Sequence, residues 1–255
     1  MIDRRTFLRI LAATAASTAL GAAAPVEAVA RGRAFLAGLL DPHIGLLPEF
    51  PGAKTYWLWH DNYLAARTLA DTHPAISRTI LAAIEREGIR DTDGRTEMFF
   101  GKTEGVLPFR HYDLKVVRNA GEKIIRTEVS TDRLMTGWEQ YADLLFLAAI
   151  AEGKMPEARA HWEAAMRMWD GKGFTDSAFR AHQIYATYKL ALALIAARRL
   201  SPPADPPPAL LERLLSLQAD SGGWITDYDA TGKPIGLANV ETTCMSILAI
   251  EAASK

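Results

Sequence analysis

Four stretches of this chain open on a polar residue and run straight into a segment that is apolar almost all round. They read NYLAARTLA from Asn62, QYADLLFLA from Gln140, QIYATYKLA from Gln183 and ETTCMSILA from Glu241. Each has a Leu seven residues and an Ala eight residues after its polar start: Leu69/Ala70, Leu147/Ala148, Leu190/Ala191 and Leu248/Ala249. Such an internal repeat governs every later fold assignment. Helices that are apolar on all sides are buried ones, so their polar first turns are expected to face an internal cavity. The residue just before the start is also polar in three of the four, namely Asp61, Glu139 and His182.

Between these stretches lie amphipathic, charge-bearing segments at 31–47, 75–87, 156–170 and 209–219. An amphipathic outer helix followed by a buried inner one, four times over, predicts an all-α fold of about four helical hairpins, closed as a ring or open as an arc. The outer-to-inner connections include the long ones, all at the polar end of the inner helices, where a binding cleft belongs. Residues 88–136 differ. They are richer in aromatic and β-branched residues, and Asn119-Ala120-Gly121 is suited to turn a hairpin, so a small β-rich insertion is expected there.

The N-terminus reads as a targeting segment. Asp3-Arg4-Arg5-Thr6-Phe7-Leu8-Arg9 resembles a twin-arginine export motif and precedes the apolar run 10–24. Residues 1–30 are therefore expected to be a signal peptide, with 31–255 as the mature domain in the periplasm or secreted. The run is too short and too alanine-rich for a permanent span, so no membrane association is expected after its removal. A formal net charge of −1 gives no electrostatic footprint for nucleic acid. The single Cys244 excludes an intramolecular disulfide. None of the six His residues forms an HxxxH pair, and neither a metal site nor a cofactor is expected. The oligomeric state is left open.

The hairpin pattern resembles the α/α toroids: the six-hairpin glycosidases and polysaccharide lyases, and the terpenoid-cyclase group. Gln218-Ala219-Asp220-Ser221-Gly222-Gly223-Trp224 looks like the Q-x-D-x-G-G-W repeat of the latter. That likeness implies that Gln218 and Trp224 tie repeats together. The Asp-rich motif of the cyclases is absent, so their chemistry is not implied. The glycosidase likeness implies acids and aromatics at the mouth of a toroid.

Glycoside hydrolysis needs two carboxyl groups across a cleft, and Asp61, Glu139 and Glu241 are the candidates. Acids in a first helical turn also complement the helix dipole, which is the structural alternative. Trp57, Trp59, His60, Asn62, Trp138, Gln140, Tyr141, His182, Gln183 and Trp224 are the candidate substrate-binding residues, the tryptophans offering amphipathic faces for sugar rings. A lyase would instead use His182, Tyr141 and Arg180. The expectation is an exported carbohydrate-active enzyme, a hydrolase before a lyase, with an oligosaccharide ligand. The alternative is a non-catalytic periplasmic repeat protein that binds a glycan, peptide or partner subunit.

Overall fold

The computed structural model describes residues 24–88 and 94–254. The first helix, α1, covers residues 24–38. It is followed by strand β1 (Thr55–Trp57), a π-helical turn (Leu58–Tyr63), α2 (Leu64–Leu69) and α3 (Pro74–Glu87). A 3-10 turn (Glu97–Phe100) and the hairpin β2 (Arg110–Ala120) and β3 (Lys123–Leu134) come next, then α4 (Ala142–Glu152) and α5 (Pro156–Met166). The last part comprises α6 (Ser177–His182), β4 (Tyr185–Ala186), α7 (Thr187–Arg199), α8 (Pro208–Ser216), β5 (Ile225–Tyr228), β6 (Pro234–Ala238) and α9 (Val240–Ala253).

The local chemistry explains the boundaries. Pro74, Pro156 and Pro208 each begin a helix, where the missing N–H is no loss. Gly88 ends α3 at φ +73°, a conformation that favours glycine. Asn239 caps α9 by accepting a hydrogen bond from the Thr242 N–H at 2.8 Å. α4 and α9 show almost no amphipathic bias because both faces are covered, as their runs of buried residues require.

Helices α2, α9, α7 and α4 stand side by side in that order, with α3 against α2, α5 against α4 and α8 against α7. α1 lies over Trp224 and Ile247, so close that a side chain at Gly32 would strike the Trp224 ring. Between the ends of the row sits the 3-10 turn. Its Phe100 meets Tyr63 edge-on at 6.1 Å and carries the Arg67 guanidinium 4.6 Å from its ring centre.

The expected all-α class does not hold. The fold is mixed, with 19% of it strand, in two three-stranded sheets ordered β1-β3-β2 and β4-β5-β6. Strand pairing reaches beyond the insertion because the lead-ins to two inner helices are themselves extended. Tyr56 pairs in parallel with Ile125, and Tyr185 pairs antiparallel with Tyr228. Nor do the helices form a toroid: the gap between α2 and α4 is occupied by the 3-10 turn. Within residues 88–136, Glu97–Phe100 is that turn rather than a strand, since Met98 and Phe99 are drawn into the core from adjacent positions. The hairpin turns at Gly121-Glu122, with φ +64° at Gly121.

A recurrent turn links outer helices to inner ones. Asp41 accepts hydrogen bonds from the backbone of His43 and Ile44 and from the Tyr56 hydroxyl. Asp170 does the same for Lys172, Gly173 and Tyr185. The two ties span the same 15 residues. A third turn closes on a bridge between Gln218 and Trp224. Gln218 Nε2 donates to the carbonyls of Ala28 and Gly222, both at 2.8 Å, and Trp224 Nε1 to that of Leu214 at 2.8 Å.

Candidate functional site

A cavity of about 300 Å³ opens at the N-terminal ends of the inner helices. The π-turn and α4, α7 and α9 each present a polar residue there: His60, Asp143, Tyr188 and Glu241. Four residues further on, the same helical faces present Leu64, Leu147, Leu192 and Met245, which also line it. Residues four apart share a helical face, so the cavity has a polar upper tier and an apolar lower one. The hairpin adds Tyr112, Glu128 and Ser130, and the segment before the hairpin adds Arg95, Thr96 and Phe99. Trp59 completes the wall.

The electrostatics of the upper tier are uneven. Burial, and then the charges of Glu128, Glu49 and Asp143, push the Glu241 carboxyl up to about 7. Asp143 is held differently. Its Oδ2 accepts the Tyr188 hydroxyl at 2.8 Å, while its Oδ1 lies 3.7 Å from the Lys189 ammonium and is buried without a hydrogen-bond partner among the described residues. Burial and the charge of Asp143 hold the Tyr188 phenol protonated, its pKa well above the ordinary 10. Lys189 is itself 4% exposed and ion-paired with Asp176, which is 0% exposed. Asp176 also accepts the backbone N–H groups of Ala142 and Phe179. One buried carboxylate thereby fixes the start of α4, the start of α6 and the cation behind Asp143.

His60 sits between two acids, its Nε2 3.8 Å from Asp61 and its Nδ1 3.9 Å from Glu128. Both separations exceed a hydrogen bond. Burial lowers its pKa to about 4, so the imidazole is neutral near pH 7. Asp61, 1% exposed, lies behind it. Burial first, then the charges of Glu241, Glu49 and Glu128, raise its carboxyl well above the ordinary range. Asp61 Oδ2 and Trp59 Nε1 are buried with no hydrogen-bond partner among the described residues.

The expected site residues separate into three groups. Trp59, His60 and Glu241 line the cavity. Asp61 and Trp57 stand next to it, Trp57 with its ring centre 4.8 Å from that of His60. The rest do not reach it. Glu139 is exposed on a 3-10 turn before α4, and Gln140, His182 and Gln183 are also at the surface. Gln140 accepts the Ser177 hydroxyl at 3.2 Å, and Tyr141 is 37% exposed. Trp138 packs between Phe109 and His161, and Trp224 is sealed in the core. Asn62 is fully buried but structural: it accepts the Leu47 N–H and donates to the carbonyls of Leu47 and Trp57.

Asp143, Tyr188 and Lys189 escape a reading based on equal spacing, because the lead-ins to the helices differ in length. A 3-10 turn precedes α4, and α6 with β4 precedes α7, so Gln140 and Gln183 fall outside the inner helices. For Asp143 the usable signal is compositional: it is the charged residue within an otherwise apolar helix start.

Among the described residues, no group of three or more His, Cys, Asp or Glu side chains is placed to hold a metal ion, and no helix is long and apolar enough to cross a membrane. Comparison with protein-family models, with curated protein sequences and with solved structures gives no significant match.

Proposed function

We propose that the protein is an exported carbohydrate-active hydrolase that cleaves glycosidic bonds in the cavity between the inner helices. The observation that carries this reading is that two carboxyl groups in different settings, Glu241 on α9 and Asp143 on α4, line one cavity. Glu241 has its pKa raised to about 7, while Asp143 accepts the Tyr188 hydroxyl and has the Lys189 ammonium 3.7 Å away. Glycoside hydrolysis requires one carboxyl that carries a proton at working pH and one that is ionised. A general acid is most effective when its pKa lies near that pH.

In this assignment Glu241 protonates the glycosidic oxygen as the bond breaks. Asp143 stabilises the developing positive charge at the anomeric carbon, either directly or by activating water. Tyr188 keeps Asp143 oriented. Trp59 offers part of its ring to the sugar. Asp61, expected from the sequence as a catalytic acid, is buried beside His60 and is given no step in the reaction. Glu139 has no part in it. Export rests on the twin-arginine resemblance of residues 3–9.

The test is hydrolysis of a panel of neutral and acidic oligosaccharides by the full chain, with product analysis and with Glu241→Gln and Asp143→Asn alongside. Cleavage that falls by a factor of about 10² or more in both variants, with the fold intact, supports the assignment. Ligand-induced stabilisation without turnover would instead favour the glycan-binding alternative. Cleavage that survives both substitutions would refute the roles of Glu241 and Asp143.

A further inference from the structure

We infer that the ligand carries an anionic oxygen group, a carboxylate or a phosphate ester, which Arg126 receives just outside the cavity; this refines the glycosidase reading and rests on it. Strand register gives the placement. Side chains two apart on a strand share a face, and β3 presents Ser130, Glu128 and Arg126 in succession on one of its faces. Ser130 and Glu128 line the cavity. Arg126 takes the next position on that face, paired with Trp57 of β1 and Val116 of β2. Arg126 is half-buried and Val116 is 49% exposed, so a ligand that reaches out of the cavity can meet both.

The bonding of Arg126 sets it apart from its neighbours. Of the four arginines on the hairpin strands, Arg110, Arg118 and Arg133 meet Asp132, Glu87 and Asp113. Arg126 has no acid at ion-pair distance among the described residues, and its Nε is buried without a hydrogen-bond partner there. Glu128, two residues along, has its Oε2 3.9 Å from His60 Nδ1. What holds Arg126 is Trp57, whose ring centre lies 5.8 Å from the guanidinium carbon. Such a contact orients the cation without neutralising it. The same ring stands 4.8 Å from that of His60 on the cavity wall, so Trp57 joins the two places. Arginine is seldom withdrawn from water unpaired, and its planar fork of donors matches the oxygens of a carboxylate or phosphate.

The experiment uses matched pairs on the full chain: galacturonic-acid oligosaccharides against their methyl esters, and a phosphorylated oligosaccharide against its dephosphorylated parent. Calorimetry reads binding, and hydrolysis is followed alongside, so that an inactive ligand still reports. The expected result is that the acidic member of one pair binds about tenfold more tightly than its neutral twin, by a margin that shrinks as salt is raised. The pair that shows it identifies carboxylate or phosphate. Arg126→Gln is expected to erase the margin with little effect on the neutral twin, and Arg126→Lys to keep part of it. Urea midpoints near the parent's are expected for both variants, since neither loses an ion pair. Equal affinity within both pairs, or a margin that survives Arg126→Gln, would overturn the inference while leaving hydrolysis intact. The comparison on the parent protein decides even if a variant fails to fold. If no sugar is bound or cleaved, the inference falls together with the function on which it rests.

Discussion

Replacing Glu241 by Gln should make the protein more stable in alkaline solution and no more stable in acid. A carboxyl whose folded pKa is raised binds its proton more tightly in the native state than in the unfolded chain. Its contribution is fully present below the unfolded value and is lost as pH rises through the folded one. For Glu241 that window runs from the ordinary 4.5 up to about 7, a gap worth ~3 kcal/mol at most. Glu241 lines a cavity open to solvent, so screening reduces the expected effect to about 1–2 kcal/mol. Gln mimics the protonated acid at every pH and so removes the loss. Urea denaturation of both proteins at pH 4 and pH 8 measures the difference. Equal midpoints at pH 4, with the variant ahead by about 1–2 kcal/mol at pH 8, are expected. A Gln variant that is less stable than the parent at pH 8 would refute the idea that burial among acids strains Glu241, and with it the case for Glu241 as a proton donor.

Three further outcomes follow from the same structure. Lys189→Met leaves Asp176 buried without its counter-ion and should lower stability by about 3–5 kcal/mol; adding Asp176→Asn should recover part of this in a double-mutant cycle of urea midpoints. His60, depressed from 6.5 to about 4 by burial, takes up its proton in the unfolded chain first, so it should cost stability as pH falls from about 6.5 to about 4; His60→Gln should flatten the stability curve by about 1–2 kcal/mol across that interval. A chain begun at Arg31 loses the buried Ala28 and Val29 and the acceptor of Gln218, and should unfold about 2–3 kcal/mol more easily than one begun at Pro25.

The last of these bears on how far a sequence can be read. Alanine-rich runs marked the inner helices, because segments apolar on every side have nowhere to go but inside. The same logic points to Asp61, Glu139 and Glu241 as acids at helix starts, of which Glu139 is exposed on a 3-10 turn before α4. It failed on register. Counting back from Leu and Ala gave Gln140 and Gln183, yet the structure aligns His60, Asp143, Tyr188 and Glu241, each followed four residues later by an apolar side chain. That pattern was present in the letters and became distinguishable only once each helix start was known. Two features were not accessible locally at all. The pairing of Tyr56 with Ile125 joins segments far apart in the chain, and the seating of the 3-10 turn between α2 and α4 depends on the aromatic contact of Phe100 with Tyr63. Trp224 illustrates the opposite hazard: a large amphipathic side chain next to glycines suits a sugar platform or a core plug equally, and only burial decides.

The π-turn at Leu58–Tyr63 has a consequence for how such a site can arise. Relative to an α-helix, a π-turn accommodates one residue more in the same rise. Deleting a single residue from it would let α2 extend backwards as an ordinary helix, and everything upstream of the deletion would rotate by about 100°. His60 would leave the cavity and Trp59 would turn with it, while Leu64 and the helices behind it kept their places. The wall of the site thus hangs on a single codon. A lineage could gain or lose this part of the pocket in one step, but the buried Tyr56 and Leu58 and the Asn62 tie to Leu47 would have to move with it.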